Sequence, residues 1–396
     1  MGKDKFLETR VRNLKREFKK TFGDTQGIQI FNAPGRVNII GEHTDYNGGY
    51  VLPVAINLSL LAVAKKRNDR KFYLKSKNFS KKVVASLDEL KYEEKKDWVN
   101  YPLSVAWALE KEGVELSGAN IIFEGNIPVA SGLSSSAAIE VLMVKALLGL
   151  SGQEIEDKRI PTICKKAENE YIGVKSGIMD QYIITFGKEN HALFLNCRTL
   201  EHRLIPCYDT KDTAIIIGNT KIKRALAKSA YNERVAECNE GLKILKEHIG
   251  RESISSLSNI SKEDFEKHRN NLPEIIAKRC EHVIYENERV KQAVDSLEEG
   301  NLAKLGKLMV QSHKSLRELY EVSCEELDIM VEAFLKSDGV YGARMTGAGF
   351  GGCAIAWVKQ ELQDEIIKRA RIEYGKKTGI KGEFYVTRIS DGVRKL

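Results

Sequence analysis

A run of small residues, Pro128 to Ala138, stands directly before the most apolar stretch of the chain, Val141 to Leu150. Small side chains let backbone N–H groups come close to an anion, and a helix that follows directs the positive end of its dipole at that anion. A serine hydroxyl in the run could coordinate Mg²⁺, which prefers oxygen ligands. The alternative is a serine cap on a core helix, although one serine suffices for a cap. We predict an anion-binding loop before a helix over about 135–150, and not a Walker A loop, since Gly-Lys-Ser/Thr is missing.

A cluster of polar side chains, Glu42-His43-Thr44-Asp45, follows an apolar segment with the pattern of a strand. The residues just after it, Asn47-Gly48-Gly49, are typical of a turn, but a turn alone does not require the charged residues ahead of it. A carboxylate can accept hydrogen bonds from two neighbouring sugar hydroxyls, and an imidazole can donate or accept beside it. A metal site is less favoured, because the cluster lacks a second histidine.

A single carboxylate, Asp180, lies among apolar residues in Gly177-Ile178-Met179-Asp180-Gln181. An acid in such surroundings is costly to bury unless it is paired or functional. The alternative is a cap at the start of a short helix, which is a common place for aspartate. Asp180 is therefore a candidate functional carboxylate, with the capping role left open.

A glycine-rich run, Gly347 to Gly352, satisfies the spacing G-x-G-x-x-G. A dinucleotide-binding fold requires a helix immediately after that run. Here Cys353 to Val358 has the pattern of a strand instead, so we reject dinucleotide binding.

The length of 396 residues exceeds what one ordinary core holds, so two domains are expected. Helical and strand patterns occur in both halves, which predicts the α+β class. A polar stretch before the apolar segment Thr213 to Gly218 puts the predicted division between residues 1–208 and 209–396. Hydrophobic residues at 42% and charged residues at 30% exclude a disordered chain.

The formal charge of +8 does not by itself indicate a nucleic-acid partner, because the basic residues are interspersed with acids and form no basic arm. Seven widely spaced cysteines with no C-x-x-C pair suit free thiols in a reducing compartment. The charged N-terminus lacks the apolar core of a signal peptide, and no apolar stretch is long enough to span a membrane. We expect a cytoplasmic monomer with small-molecule partners and with no nucleic-acid or membrane partner.

Three segments, in their order along the chain and at this spacing, resemble the superfamily of galactokinase, homoserine kinase, mevalonate kinase and phosphomevalonate kinase; they are Ala33 to Gly49, Gly125 to Ala138 and Met345 to Gly352. The resemblance extends over about Phe31 to Ile389, and Ala33 to Gly49 matches the galactokinase signature nearly completely. It implies an N-terminal ribosomal-protein-like domain and a C-terminal ferredoxin-like domain, with the active site in the cleft between them.

The resemblance also implies roles for individual residues. Asp180 would be the general base, with Arg36 beside the reacting hydroxyl, where it would keep Asp180 ionised and offset developing negative charge. Ser136 and Glu168 would hold Mg²⁺. The residues implied in ATP binding are Ser76, Trp98, Ala130, Ser131, Gly132, Leu133, Ser134, Ser135 and Ser136. The residues implied in sugar binding are Glu42, His43, Thr44, Asp45, Gly177 and Tyr231.

The implied activity is ATP-dependent phosphorylation of α-D-galactose at the C1 hydroxyl, which gives α-D-galactose 1-phosphate and ADP and is the first committed step of galactose catabolism. Two alternatives stay open: a kinase for N-acetylgalactosamine, galacturonate or arabinose, and a galactose sensor without catalysis. The sensor is disfavoured because the serine-rich loop is intact and both Arg36 and Asp180 are present.

Overall fold

The computed structural model describes residues 3–79, 82–128, 131–207, 212–222 and 227–396. The α-helices are α1 (Lys3–Phe22), α2 (Asn100–Lys111), α3 (Ser135–Ser151), α4 (Arg159–Lys166), α5 (Met179–Phe186), α6 (Ala227–Ile249), α7 (Lys262–His268), α8 (Glu274–Glu298), α9 (Leu302–Glu318), α10 (Glu325–Leu335) and α11 (Gln363–Thr378). Shorter 3₁₀ turns lie at Asp45–Asn47, Glu94–Val99, Leu257–Asn259, Arg269–Asn271 and Gln360–Leu362, and a π-helical turn lies at Ala167–Ile172. Within these ranges, no helix is long and apolar enough to cross a lipid bilayer.

The strands form three sheets. They are β1 (Gln29–Asn38), β2 (Tyr50–Val51), β3 (Pro53–Lys66), β4 (Lys71–Ser76), β5 (Lys82–Ser86), β6 (Ala119–Gly125), β7 (His191–Asn196), β8 (His202–Pro206), β9 (Thr213–Asn219), β10 (Val340–Thr346), β11 (Cys353–Lys359), β12 (Glu383–Thr387) and β13 (Arg394–Lys395). The strand orders are β13-β1-β3-β6-β4-β5, β10-β11-β9-β12 and β2-β7-β8. The mixture of helices and sheets in both halves confirms the predicted α+β class.

The six-stranded sheet carries a helix on each face. Side chains alternate between the two faces of a strand, so Leu61 of β3 packs with α1 while Ala62 belongs to the core on the other side. The helix α1 covers the outer face with Leu14 and Phe18, both fully buried. The inner face supports α3, which contacts β1 and β3.

The helix α3 confirms the predicted helix after the serine-rich run. From Ala137 to Leu150 nearly every side chain is buried, because a helix that is apolar all round must be enclosed by other elements. Ser134 precedes it in a left-handed conformation with φ 60°, and Gly152 ends it with φ 70°. The N-terminus of this buried helix is thereby held at a fixed place in the protein.

The second sheet joins the two halves of the chain. All its strands are antiparallel. Ile216 of β9 and Ala356 of β11 pack with the C-terminal helices, whereas Ile215 and Trp357 pack with the core of the N-terminal half. Both faces of this sheet are therefore covered, and the sheet lies between the two hydrophobic cores.

The predicted division at residues 208 and 209 lies outside the described residues. The C-terminal end of the chain returns to the first sheet, where β13 pairs with Phe31 and Asn32 of β1. The last residues of the predicted C-terminal domain therefore lie in the N-terminal sheet, and the exact division stays a prediction.

The glycine-rich run is a turn between β10 and β11. A strand follows it, as expected, and the rejection of a dinucleotide-binding helix is confirmed. Gly349 has φ +80°, and a Cβ atom there would lie 2.1 Å from the carbonyl oxygen of Val322. Only glycine allows this close approach of two backbones.

Candidate active site

The carboxylate of Asp180 stands at the centre of the site. It lies in the first turn of α5, and its two oxygens accept hydrogen bonds from Nε and Nη2 of Arg36, each at 2.8 Å. The Ser134 hydroxyl donates to the same carboxylate. Arg36 is 5% exposed and donates through Nη1 to the Gly132 carbonyl at 2.6 Å. A bidentate arginine–carboxylate hydrogen bond is strong and directional, so the carboxylate has a fixed orientation.

Two cavities meet at Asp180. The larger has a volume of about 850 Å³, and the smaller about 440 Å³. Both are in the size range of small-molecule sites. The residues that line both cavities are Arg36, Tyr101, Ser136, Asp180 and Ala348. A group that passes from a molecule in one cavity to a molecule in the other would therefore pass beside Asp180.

The larger cavity contains most of the residues predicted to bind ATP. Its lining includes Ser76, Trp98, Gly132, Ser134, Ser135 and Ser136. Trp98 lies at one side, with its ring nearly parallel to that of Phe79 at an angle of 14° and a centroid distance of 6.0 Å. The first residues of α3, Ser135 and Ser136, also line the cavity, so it has both an apolar flat surface and the anion-attracting N-terminus of a helix.

Two described residues of the predicted ATP loop differ from this pattern. Ser131 and Leu133 are not among the described residues that line the larger cavity. The Ser131 hydroxyl donates to the Pro128 carbonyl at 2.7 Å, and the Leu133 carbonyl accepts from the Arg36 backbone N–H at 3.2 Å. Both side chains are buried, so these two residues stabilise the conformation of the loop and do not face the cavity. Ala130 lies outside the described residues.

The smaller cavity contains most of the residues predicted to bind sugar. Its lining includes Glu42, His43, Asp45, Gly177 and Tyr231. A Cβ atom at Gly177 would lie 1.6 Å from Oδ2 of Asp45, so glycine is needed there for Asp45 to keep its place. Burial raises the pKa of Asp45, and the nearby charge of Asp180 raises it further.

Thr44 is the predicted sugar residue that the structure does not bring to the smaller cavity. Its side chain is fully buried, and its hydroxyl faces the carbonyls of Gly41 at 2.8 Å and Tyr50 at 2.7 Å. It holds the turn that carries its neighbours Glu42, His43 and Asp45. A polar residue inside a turn looks the same in sequence whether it faces a ligand or the backbone.

Glu42 is bound to the C-terminal half by a dense set of hydrogen bonds. Its carboxylate accepts from Arg344, from the Gly347 backbone N–H at 3.0 Å and from the Thr346 hydroxyl at 3.2 Å. Arg344 is fully buried and also donates to the Ser312 hydroxyl at 3.1 Å. Buried charges are tolerated only when they are paired in this way.

Glu286 extends this buried ion network. It lies 3.9 Å from Arg344 and accepts from the Gly41 backbone N–H at 3.0 Å. Burial favours its neutral form, but the positive charges of Arg289 and Arg344 outweigh burial and lower the pKa of Glu286 to about 2. The turn that carries the predicted sugar residues is thus anchored by charges from α8 and β10.

Ser136 and Glu168, the predicted Mg²⁺ ligands, both line the smaller cavity. Glu168 accepts from the Ser176 hydroxyl at 2.5 Å and from the Gln181 amide at 3.0 Å. Burial, with the negative charges of Asp180 and Asp45 nearby, raises the pKa of Glu168 to about 7. The described residues include no group of three His, Cys, Asp or Glu able to hold a metal ion without other ligands. A hydroxyl and one carboxylate nevertheless fit Mg²⁺, which usually completes its coordination with waters and substrate phosphates.

Several residues of the site were missed by sequence reasoning. Tyr101 and Ala348 line both cavities, and Gln181 donates to Glu168 and also to buried Glu140 at 3.2 Å. Arg344 had a visible signal, because it is a lone charge in the apolar run of β10. Ala348 had no signal in the sequence beyond its position in the glycine-rich turn. Its backbone carbonyl, and not its side chain, contacts Nε2 of His43.

The chain matches three family models. They are the galactokinase galactose-binding signature at residues 16–66, the N-terminal domain of the GHMP kinases at residues 100–188 and the C-terminal GHMP kinase model at residues 262–377.

Curated and solved relatives match over nearly the full length. The chain is 42% identical to a galactokinase of Bacillus subtilis (strain 168), over 97% of this chain and 98% of the relative. It is 44% identical to a galactokinase of Clostridium beijerinckii, over 97% and 98%. A crystal structure of Lactococcus lactis galactokinase complexed with galactose superposes with a TM-score of 0.93 at 41% identity, over 98% of this chain and 100% of the other.

Proposed function

The chain belongs to the galactokinase family, and we propose that it transfers the γ-phosphoryl group of ATP to the C1 hydroxyl of α-D-galactose, giving α-D-galactose 1-phosphate and ADP. The observation that carries the proposal is the position of the Asp180 carboxylate, held by Arg36 and Ser134 where the larger and smaller cavities meet. A nucleotide in the larger cavity and a sugar in the smaller one would react across this carboxylate.

In the proposed reaction, Asp180 orients the C1 hydroxyl and accepts its proton. The hydroxyl oxygen forms a bond to the γ-phosphorus while the bond from that phosphorus to ADP breaks. Phosphoryl transfer through a loose transition state needs positioning and charge stabilisation more than a strong base. Arg36 contributes to both, because it fixes the carboxylate and places a positive charge beside the reacting oxygens.

The larger cavity supports the proposed binding of ATP in a definite orientation. The backbone N–H groups at the start of α3 and the small residues before it would face the phosphates. Trp98 and Phe79 offer flat apolar surfaces for the adenine ring at the far side. The predicted contacts of Ser76, Ser134 and Ser135 remain part of the proposal.

We also propose that Ser136 and Glu168 hold Mg²⁺ together with the nucleotide phosphates. The ion would neutralise phosphate charge and align the γ-phosphate for transfer. The clustering of Asp45, Glu168 and Asp180 around one cavity supports this role, because like charges at close range are stabilised by a cation.

The predicted setting of the protein is proposed along with its activity. Six of the cysteines form no disulfide bond, which supports a reducing compartment such as the cytoplasm; they are Cys164, Cys197, Cys207, Cys238, Cys280 and Cys324. A monomeric state stays a prediction that size-exclusion chromatography with light scattering would check.

The experiment is a measurement of ADP release with Mg-ATP and a panel of galactose, N-acetylgalactosamine, galacturonate, arabinose, glucose and mevalonate. We expect turnover with galactose well above that with the others, and loss of that turnover in Asp180→Asn. Preferred turnover of another sugar would keep the kinase mechanism and replace the substrate. Galactose binding without turnover of any sugar would indicate a sensor and contradict the proposed activity.

A further inference from the structure

A chain of polar groups runs from the smaller cavity into the C-terminal half. Nδ1 of His43 lies 2.8 Å from the Tyr46 hydroxyl, which lies 2.7 Å from the Tyr320 hydroxyl. The Tyr320 hydroxyl in turn lies 3.1 Å from Sγ of Cys238. The chain links the 3₁₀ turn at Asp45–Asn47 to α6 and to the segment after α9.

The direction of every hydrogen bond in this chain follows from its first member. Nε2 of His43 lies 3.2 Å from the carbonyl oxygen of Ala348. A carbonyl only accepts hydrogen bonds, so Nε2 must carry a hydrogen. Burial is the main cause that lowers the pKa of His43 to about 3, so the imidazole is neutral and Nδ1 is a bare acceptor.

The remaining members must then donate in sequence. Tyr46 has a single hydroxyl hydrogen and uses it toward Nδ1 of His43, so it accepts from Tyr320. Tyr320 donates its only hydroxyl hydrogen to Tyr46, so its oxygen accepts from the Cys238 thiol. All the donors therefore point toward the cavity.

We propose that Tyr46, oriented by Tyr320, is a positioning residue that helps to hold His43 as the Nε2–H tautomer, so that the imidazole meets the sugar as a hydrogen-bond donor. The inference rests on the proposed function, since it concerns the cavity in which galactose would bind. A sugar oxygen that approaches His43 must accept, and it would share the N–H with the Ala348 carbonyl.

The backbone of His43 is held as firmly as its ring. His43 has φ 64°, a left-handed conformation that a residue with a Cβ rarely adopts. The Asn47 side chain donates to its carbonyl at 2.8 Å. The rings of Tyr231 and Tyr320 pack against the imidazole at centroid distances of 5.6 and 4.8 Å. Ring packing sets where the imidazole lies, and the Ala348 carbonyl at Nε2 together with the Tyr46 hydroxyl at Nδ1 sets which nitrogen carries the hydrogen.

The test is long-range ¹H–¹⁵N correlation NMR of the full chain labelled at histidine. The His43 signal is assigned by its loss in His43→Gln. We expect the Nε2–H tautomer in the wild type and a shift toward the Nδ1–H tautomer or exchange between tautomers in Tyr46→Phe. In Tyr320→Phe the tautomer should persist, because Tyr46 can still donate to Nδ1. Tyr285→Phe, which removes only an exposed hydroxyl bonded to Glu266, should leave the His43 signal unchanged.

Galactose affinity from calorimetry supplies the second readout. Loss of a buried hydrogen bond corresponds to a roughly tenfold weaker Kd in Tyr46→Phe, with a smaller change in Tyr320→Phe and none in Tyr285→Phe. An Nδ1–H signal in the wild type, or an unchanged His43 signal in Tyr46→Phe, would overturn the inference. If Tyr46→Phe does not fold, the wild-type spectrum still tests the inference, because an Nδ1–H signal there would overturn it.

Neither readout requires turnover, so the two proposals fail separately. Absence of sugar phosphorylation together with the expected tautomer and galactose affinity would contradict only the proposed activity. Normal phosphorylation with the wrong tautomer would contradict only the hydrogen-bond chain.

Discussion

The two cavities at Asp180 are built in different ways. The larger cavity is lined by described residues of the N-terminal half, with Ala348 as the exception, and it uses backbone groups, small hydroxyls and aromatic rings. The smaller cavity takes Tyr231, Gly347 and Ala348 from the C-terminal half. Its turn is held by the buried ion network of Glu42, Arg344 and Glu286. The larger cavity, the proposed nucleotide side, thus depends on local backbone geometry. The smaller cavity, the proposed sugar side, depends on charges paired between distant segments.

The largest expected effect belongs to the residue that both cavities share. Asp180→Asn should lower kcat by roughly 10³-fold, because an amide accepts no proton and pairs poorly with Arg36, while both substrates keep their other contacts. Stopped-time ADP assays with calorimetric binding of galactose and of an ATP analogue would measure this. Unchanged kcat would remove Asp180 from the proposed role.

The next effect should separate the cavities. Arg344→Ala leaves the Glu42 carboxylate buried without its partner, which should lower the free energy of unfolding by about 3–5 kcal/mol. The affinity for galactose should weaken strongly, and the affinity for an ATP analogue should remain unchanged. Arg369→Ala, which removes an exposed helix-surface ion pair with Glu365, is the matched control and should have little effect. Equal losses in both affinities would contradict the division between the cavities.

Acidification should also act on the sugar side. Burial lowers the pKa of His43 to about 3 and that of His282 to about 4 from an ordinary 6.5. Below pH 6.5 these two histidines bind protons in the unfolded chain but not in the folded protein, so their contribution to stability falls as the pH is lowered until their folded pKa values are reached. Each histidine should cost about 2 kcal/mol at pH 5 relative to neutral pH.

Denaturant unfolding at pH 7.5 and pH 5 would check this dependence. His282→Gln should reduce the loss on acidification, and His248→Gln, at an exposed position of α6, should not. No histidine is among the described residues lining the larger cavity, so affinity for an ATP analogue should change less with pH than affinity for galactose.

The smallest effect should fall on the nucleotide side. Trp98→Ala removes one of two parallel rings and should weaken ATP binding by about 1 kcal/mol, or roughly fivefold in KM. The KM for galactose should hold. Trp98→Phe should restore much of the loss, because it returns a flat ring to the same place. A change confined to the galactose KM would place the aromatic pair on the wrong side of the site.

Local patterns in the sequence were sufficient for the loop and helix beside the larger cavity, whereas Ser76 and Trp98 were implied only by the family resemblance. The serine-rich run, the apolar helix α3 and the strand after the glycine-rich turn all follow from residues that are adjacent in the chain. Side-chain size, helix dipole and periodicity act over a few residues, so they can be recognised without the fold. The pair of Arg36 and Asp180, 144 residues apart, was predicted only because a family resemblance supplied the partner.

The sugar side was decided by the tertiary structure. The Glu42 and Arg344 contact spans 302 residues, and the His43 contact with Ala348 spans 305. Thr44, between Glu42 and Asp45 in sequence, faces the backbone instead of the cavity. A buried charge or donor must find a partner, but composition does not say which one. That choice is made where β1, α8, α9 and β10 pack together and exclude water, so that only paired groups can remain buried.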